Sequence, residues 1–382
     1  MVQVVEIKTK RQFYKMQNRW NKILNKSQDN NIFLTWEKMA PSVNNLEKST
    51  TLKILCAIEG KKLLGIAPFR KSRRSLKGRF TYNVIEPLTN GNTDYAGIIL
   101  AGQEKQCLSK ILEYLFSQGD WDLFYLPDLP QPSLGLKLIK DLHESLPRFN
   151  IEPGWICPYL PIPDSKEKLI ANINPKFRKE LKRRLRKLEK EHGKVELKPY
   201  YELGSIEETM EILFKLHKKR WGSKGQHGSF ANPKARNMAL ETAKFFAKKD
   251  WLRLYFLTVN DTPVAAELDL EYENKLHGHL CGFDPNYSKY GVGNLLMLKV
   301  LEECVNKGIY EYDFMQGAES YKFDWTSKYR QSMNVRFANK KISSKLISSI
   351  LKILNKSDFC KQRIFPTFQR LIRNETYFFL NR

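Results

Sequence analysis

Apolar and polar residues alternate most clearly in two parts of the chain. Residues 51–70, TLKILCAIEGKKLLGIAPFR, are two β-patterned runs meeting at Glu59-Gly60, which predicts a hairpin. Residues 251–284 predict three consecutive strands turned at Asn260-Asp261 and Glu273-Asn274, an antiparallel meander. Helical spacing is evident from Lys176 to Lys190, where Phe177, Leu181, Leu185 and Leu188 form one apolar stripe, and again in NLLMLKVLEECVNK, between Gly293 and Gly308. The proline-rich stretch 152–165 cannot continue a helix or donate to a central ladder. It predicts a boundary, giving domains at 1–160 and 161–339. From Lys340 to the end the chain is basic, and Ile342, Leu346, Ile350 and Leu354 share one helix side, so 340–382 reads as a basic amphipathic tail for an anionic membrane or for its own domain.

The chain also resembles itself. Displaced by 189 residues, 102–125 lies over 291–314, and Gly102, Lys110, Leu112, Glu113 and Gly119 match Gly291, Lys299, Leu301, Glu302 and Gly308. Both copies read turn, amphipathic helix ending at Gly, then strand. A duplicated α/β domain follows, each copy a mixed, mostly antiparallel sheet flanked by helices. In this alignment Glu104 stands where the second copy has Gly293, and a carboxylate there would repel bound phosphates, so the first copy reads as degenerate and as support for an acceptor cleft.

Composition narrows the partners. The 382 residues carry a net charge of +24, with 42% hydrophobic and 28% charged residues, which excludes wholesale disorder and demands an anionic partner or surface. The N-terminal MVQVVEIKTK reads as a strand and not a leader, and no apolar run is long enough to span a bilayer, so the expected location is the cytoplasm, with peripheral contact at the inner face of the membrane. Six scattered cysteines without a CxxC pair indicate neither a disulfide framework nor structural zinc.

Chemistry concentrates in the second half. Glu267, Asp269 and Glu271 alternate with leucines and share a strand face; such a face is usually solvated, but Glu267 or Asp269 is also the candidate base for an attacking amine. With a two-residue turn at Glu273-Asn274, His277 falls opposite Leu270 and His279 opposite Leu268, so His277, His279 and Cys281 lie on the leucine face as packed side chains and no metal is expected. Glycines at the mouth of the helix from Gly293 let backbone N–H groups approach a phosphate. Asp313 sits at a strand end, as a buried hydrogen-bonding residue or a substrate contact, and Glu319, Tyr321 and Lys322 follow at the sheet lip. Trp221 is a core aromatic or a stacking platform.

The segments YSKYGVGNLLMLKVLEECVNKG and YEYDFMQGAESYKFDW resemble the acyl-CoA-binding core of the GNAT acyltransferase superfamily. The order PKFRKELKRRLRKLEKEHGKVEL, LHKKRWGSKGQHGSFANP, WLRLYFL, PVAAELDLEY, GFDPNYSKY and YDFMQGAESYK is similar to the CelD-type acetyltransferase domain, a relative of the FemABX peptidyltransferases. That resemblance covers about 164–326. It implies tandem GNAT-like domains, acetyl-CoA or another acyl-CoA as co-substrate, and a phosphate loop at Tyr290, Gly291, Val292, Gly293 and Asn294, with the acceptor site at the lip. The leading expectation is an acyl-CoA-dependent N-acyltransferase acting on an amino sugar or a cell-envelope or polysaccharide precursor. The alternatives are a FemABX-like transferase using aminoacyl-tRNA, and a non-catalytic membrane- or RNA-binding module on a GNAT scaffold.

Overall fold

The computed structural model describes residues 1–76, 80–89, 94–142, 149–339, 341, 344 and 347. Ile342, Leu346, Ile350 and Leu354, the apolar stripe of the interfacial helix expected beyond Lys340, lie outside the described residues. In chain order the first half comprises β1 (Gln3–Ile7), α1 (Lys10–Tyr14), α2 (Gln17–Leu24), α3 (Trp36–Asn44), β2 (Thr50–Glu59), β3 (Lys62–Leu76), β4 (Phe80–Pro87), β5 (Ile99–Leu100), α4 (Glu104–Ser117), β6 (Leu123–Leu129), α5 (Leu134–Asp141) and β7 (Asn150–Pro161). The second comprises α6 (Lys166–Asn172), α7 (Pro175–His192), β8 (Val195–Pro199), α8 (Ile206–Gly222), α9 (Pro233–Ala247), β9 (Leu252–Val259), β10 (Thr262–Tyr272), β11 (Lys275–Phe283), α10 (Val292–Asn306), β12 (Glu311–Asp313) and β13 (Tyr329–Ala338).

The duplication is visible in the pairing. In the first half β2, β3 and β4 form an antiparallel meander, α4 crosses over, and β6 returns parallel to β4. In the second, β9, β10 and β11 do the same, α10 crosses, and β12 returns parallel to β11. Each crossover helix starts from a left-handed residue, Gln103 (φ 47°) and Gly291 (φ 63°). These caps set Glu104 against Val292 rather than Gly293, a one-residue shift from the sequence alignment, and keep a carboxylate in the first turn of α4. The hairpin turns carry positive φ at both central residues, Asn260-Asp261 (44°, 64°) and Glu273-Asn274 (49°, 54°). That is the geometry matching the right-handed strand twist, and Asn and Asp tolerate it well.

The two sheets join into one, in the order β1-β2-β3-β4-β6-β13-β7-β12-β11-β10-β9-β8, through an exchange at the seam. The last strand of the first half, β7, pairs with β12, and the last strand of the second, β13, pairs with β6. The proline-rich stretch is thus a central strand, contrary to expectation. Proline lacks a donor but keeps its acceptor, and the Pro158 carbonyl receives the Phe314 N–H at 2.9 Å. A register shift in β13 between Gln331 and Met333 accommodates the rest.

The helices cover both faces. In the second half, from Ala265 onward, odd-numbered positions of β10 face α6, α7 and α10, while even positions face α8, α9 and residues Ile32, Phe33 and Tyr95 of the first half. At Gly282 strand β11 touches α8 directly, since a Cβ there would overlap the backbone of Leu216 and His217. Among the described residues no helix is long and apolar enough to cross a membrane.

Candidate active site

Glu267 and Asp269 lie on the odd face of β10, beneath α10, and are 5% and 0% exposed. The solvated face expected from alternation is instead a buried carboxylate pair. Tyr312, from β12, donates its hydroxyl to Glu267 Oε1 at 2.8 Å and lies 3.4 Å from Asp269 Oδ1. It reaches them by passing over Gly278, where a Cβ would overlap Oη. Asp269 Oδ2 has no partner among the described residues. Burial pushes Glu267 up to about 7, with the Tyr312 hydrogen bond and the Arg220 charge opposing, and drives Asp269 well above the carboxylate range, reinforced by the charge of Glu267. The two carboxyls therefore hold at least one proton near neutrality, and Glu267 is the one poised to exchange it. Glu271 is different: it pairs with Arg253 at 2.6 Å at the half-buried end of the strand.

His277 falls opposite Leu270, as the turn predicts, but a bulge between Leu268 and Asp269 places Leu280, not His279, opposite Leu268. Cys281 consequently pairs with Glu267 and joins the carboxylate face, separated from the histidines. His277 and His279 pack against the Phe33 ring, and His279 Nδ1 lies 3.7 Å from Asp94 Oδ2. No cluster able to hold a metal ion occurs among the described residues.

Strands β11 and β12 pair only over 275–277 and 311–313. Beyond that they splay, because residues 314–317 follow β7 instead, with the Gly317 N–H on the Ile156 carbonyl at 2.9 Å. Arg220, from the end of α8, enters beside this opening and donates to the carbonyl and the sulfur of Cys281; its Nε is buried without a partner among the described residues. Its charge reaches both Glu267 and Tyr321. No periodic signal marks Arg220 within LHKKRWGSKG, so sequence reading missed it, as it missed Tyr312.

The turn after β12 is strained and doubly held. Met315 has φ 60°, in the left-handed region. Asp313 Oδ1 accepts its N–H at 2.8 Å, and Asp313 Oδ2 accepts the Tyr95 hydroxyl of the first half at 2.8 Å. Burial raises Asp313 to about 6. Lys322 is 4% exposed, and its ammonium donates to the carbonyls of Met315, Gln316 (2.7 Å) and Gly317. Of the lip residues expected to meet substrate, Lys322 thus turns inward to fix the loop, while Glu319 at 2.9 Å from its ammonium and Tyr321 at 37% exposure border the opening. Trp221 packs behind Arg220, whose guanidinium lies 5.8 Å from its ring. Its Nε1 is buried and unpartnered among the described residues, and Gly228 approaches Cδ1 so closely that an added Cβ would be 3.0 Å away.

At the end of β11 the chain makes one 3₁₀ segment and enters α10 at Gly291, with no side-chain cap. The Gly291 N–H donates to the Ser288 carbonyl and the Asn294 N–H to the Gly291 carbonyl, both at 2.9 Å, which leaves the N–H groups of Val292 and Gly293 without a backbone partner among the described residues, while the Val292 side chain is buried in the core. Tyr290 is fully buried, its hydroxyl shared by Glu191 and His192 Nε2, the latter at 2.8 Å. Contrary to expectation, no part of this residue is open to a ligand. Gly291 lies against the Arg184 guanidinium, whereas at Gly293 an added Cβ would be 3.8 Å from the Phe283 ring.

Two cavities lie between the halves, on the leucine face rather than at the carboxylates. One, of about 420 Å³, runs between β3 and the start of α9 and is lined by Arg70, Arg73, Arg74 and Lys234 against Glu47 and Glu86. The other, about 40 Å³, is framed by Lys38, His279 and apolar side chains of α9 and β10, and burial pushes Lys38 down to about 8.

Residues 175–323 match the family model described as an acetyltransferase (GNAT) domain. No curated protein matches the chain in sequence. In fold it is similar to the crystal structure of FemX (TM-score 0.61, 8% identity, 87% of this chain and 98% of that one), a conserved protein of unknown function from Bacteroides thetaiotaomicron (0.54, 14%, 88% and 100%), and L-PGS from Bacillus licheniformis (0.53, 10%, 86% and 94%).

Proposed function

We propose, for an acyltransferase whose residues 175–323 form a GNAT domain, that the acyl group comes from acyl-CoA and passes directly to an amine. The observation that carries this reading is the buried Glu267–Tyr312–Asp269 group at the foot of the β11/β12 splay. The donor's phosphates would meet the backbone N–H groups of Val292 and Gly293, with Arg184 adding positive charge, and its thioester would lie along the splay. Glu267 accepts the proton of the acceptor ammonium, the nitrogen lone pair attacks the carbonyl carbon, and the new C–N bond replaces the C–S bond as CoA leaves as thiolate and takes up the proton that the nitrogen sheds in becoming an amide. A base near neutrality suits this step, because its ionised form is abundant while it still holds a proton well. Arg220, at the same opening, faces the charge that develops on the carbonyl oxygen.

The acceptor, a nucleotide-linked amino sugar or a cell-envelope precursor, would enter at the lip of the same opening, beside Arg220 and Tyr321. A second reading, aminoacyl-tRNA as donor, is favoured by the likeness to FemX across 87% of the chain and by the +24 charge. Offering labelled acetyl-CoA and aminoacylated tRNA in parallel separates the two: saturable binding of acetyl-CoA with transfer to an amino sugar is expected, and transfer from charged tRNA alone would establish the other donor.

A further inference from the structure

Helix α7 divides cleanly by chemistry. Leu181 and Leu188 are buried, with Phe177 and Leu185 half-buried beside them. The opposite side exposes Lys176, Lys179, Lys182, Arg183, Arg186, Lys187 and Lys190. At 3.6 residues per turn these seven fall within an arc of about 140° and along roughly 21 Å of axis, and from Lys176 to Lys190 that arc contains nothing else. Arg183 pairs with Glu180 and Lys187 with Glu191. Lys176, Lys179, Lys182, Arg186 and Lys190 form no ion pair among the described residues.

We propose that this face of α7 docks the protein on an anionic phospholipid surface. Five uncompensated cations on one side of a straight helix present their charge along a nearly flat strip, which suits a layer of headgroups. The apolar side of α7 is spent in the core, so the contact is electrostatic and does not insert. A nucleic-acid reader would add aromatic rings for stacking or amide and hydroxyl groups for base edges and sugars, and the arc has none. The same helix lies against the mouth of α10 through Arg184 at Gly291, and its Phe177 ring packs 5.1 Å from buried Trp325. Docking would hold the mouth of α10 close to the bilayer, whichever donor is used.

The test is co-sedimentation of the full chain with vesicles of phosphatidylcholine alone or with 30% phosphatidylglycerol, as roughly the anionic share that sets a surface potential. Wild type should pellet only with the anionic vesicles and be released by salt. The variant K179Q/K182Q/R186Q/K190Q should bind about 10²- to 10³-fold more weakly, while K15Q/K22Q/K26Q/K105Q, with the same loss of charge on the first half, should bind like wild type. Absence of wild-type binding, or equal weakening in both variants, would overturn the proposal. Tighter binding of wild type to a short RNA duplex than to the vesicles, lost in the α7 variant, would also overturn it and give the face to nucleic acid.

Discussion

Glu267→Gln should lower turnover by roughly 10²- to 10⁴-fold, the usual contribution of a positioned general base, without weakening donor binding. An acceptor ammonium with a pKa near 10.4 is almost wholly protonated at neutral pH, so the proton must go somewhere in the site. Glu267 has the right value for it, about 7, because burial is only partly opposed by Tyr312 and Arg220. Activity should therefore rise with pH through about 7 in wild type and lose that limb in Glu267→Gln. Asp269→Asn should cost less, since Asp269 is driven well above the carboxylate range and serves as the proton-holding neighbour. Stability has the opposite pH dependence. A carboxyl whose folded value is raised from 4.5 to about 7 stabilises the fold most below 4.5, and that contribution is lost as pH rises to about 7. Glu267→Gln, which cannot ionise, should gain stability relative to wild type across that window. Parallel pH–rate and thermal-denaturation series on wild type and both variants check the set; near wild-type turnover in both variants from pH 6 to 9 would move the base to Glu319 or a bound water.

Gly282→Ala should destabilise the second half by about 3 kcal/mol or more, at the upper end of overpacking costs. The new methyl would overlap the backbone nitrogen and Cα of His217 and the carbonyl carbon of Leu216, none of which can rotate away as a side chain would. Relief requires separating α8 from β11, and that contact also sets Arg220 beside Cys281. Gly293→Ala, where the nearest atom is 3.8 Å from an added Cβ, is the matched control and should unfold like wild type. Denaturant titration distinguishes them, and an unchanged midpoint for Gly282→Ala would mean that α8 and β11 are not in backbone contact.

What the sequence carries about this fold is mostly local. The positive-φ pairs at Asn260-Asp261 and Glu273-Asn274 announce the meander, and the α10 pattern between Gly293 and Gly308 announces the crossover. The alternation at Glu267 and Asp269 is equally plain, but their burial is set by α10 and by a tyrosine 43 residues beyond Asp269, which no strand period reports. The bulge after Leu268, which sends Cys281 to the carboxylate face, falls beside Gly278, a glycine inside a strand pattern that is the one local sign of it. The exchange of β7 and β13 depends on partners far apart in sequence, so proline content pointed to a boundary where the structure has a central strand. Lys322 read as a ligand at the lip because its carbonyl partners are exposed only by the left-handed turn at Met315.

Calorimetric titration of acetyl-CoA into the full chain, its Gly293→Ala variant and its Gly293→Glu variant bears most directly on donor binding at the mouth of α10. Wild type and Gly293→Ala should bind alike, since the position has room for a methyl. Gly293→Glu should bind roughly 10- to 100-fold more weakly, because a carboxylate within several ångströms of the donor's phosphates repels them at the moderate dielectric of a protein surface. Equal affinities in Gly293→Glu and wild type would mean that the donor does not sit at this helix.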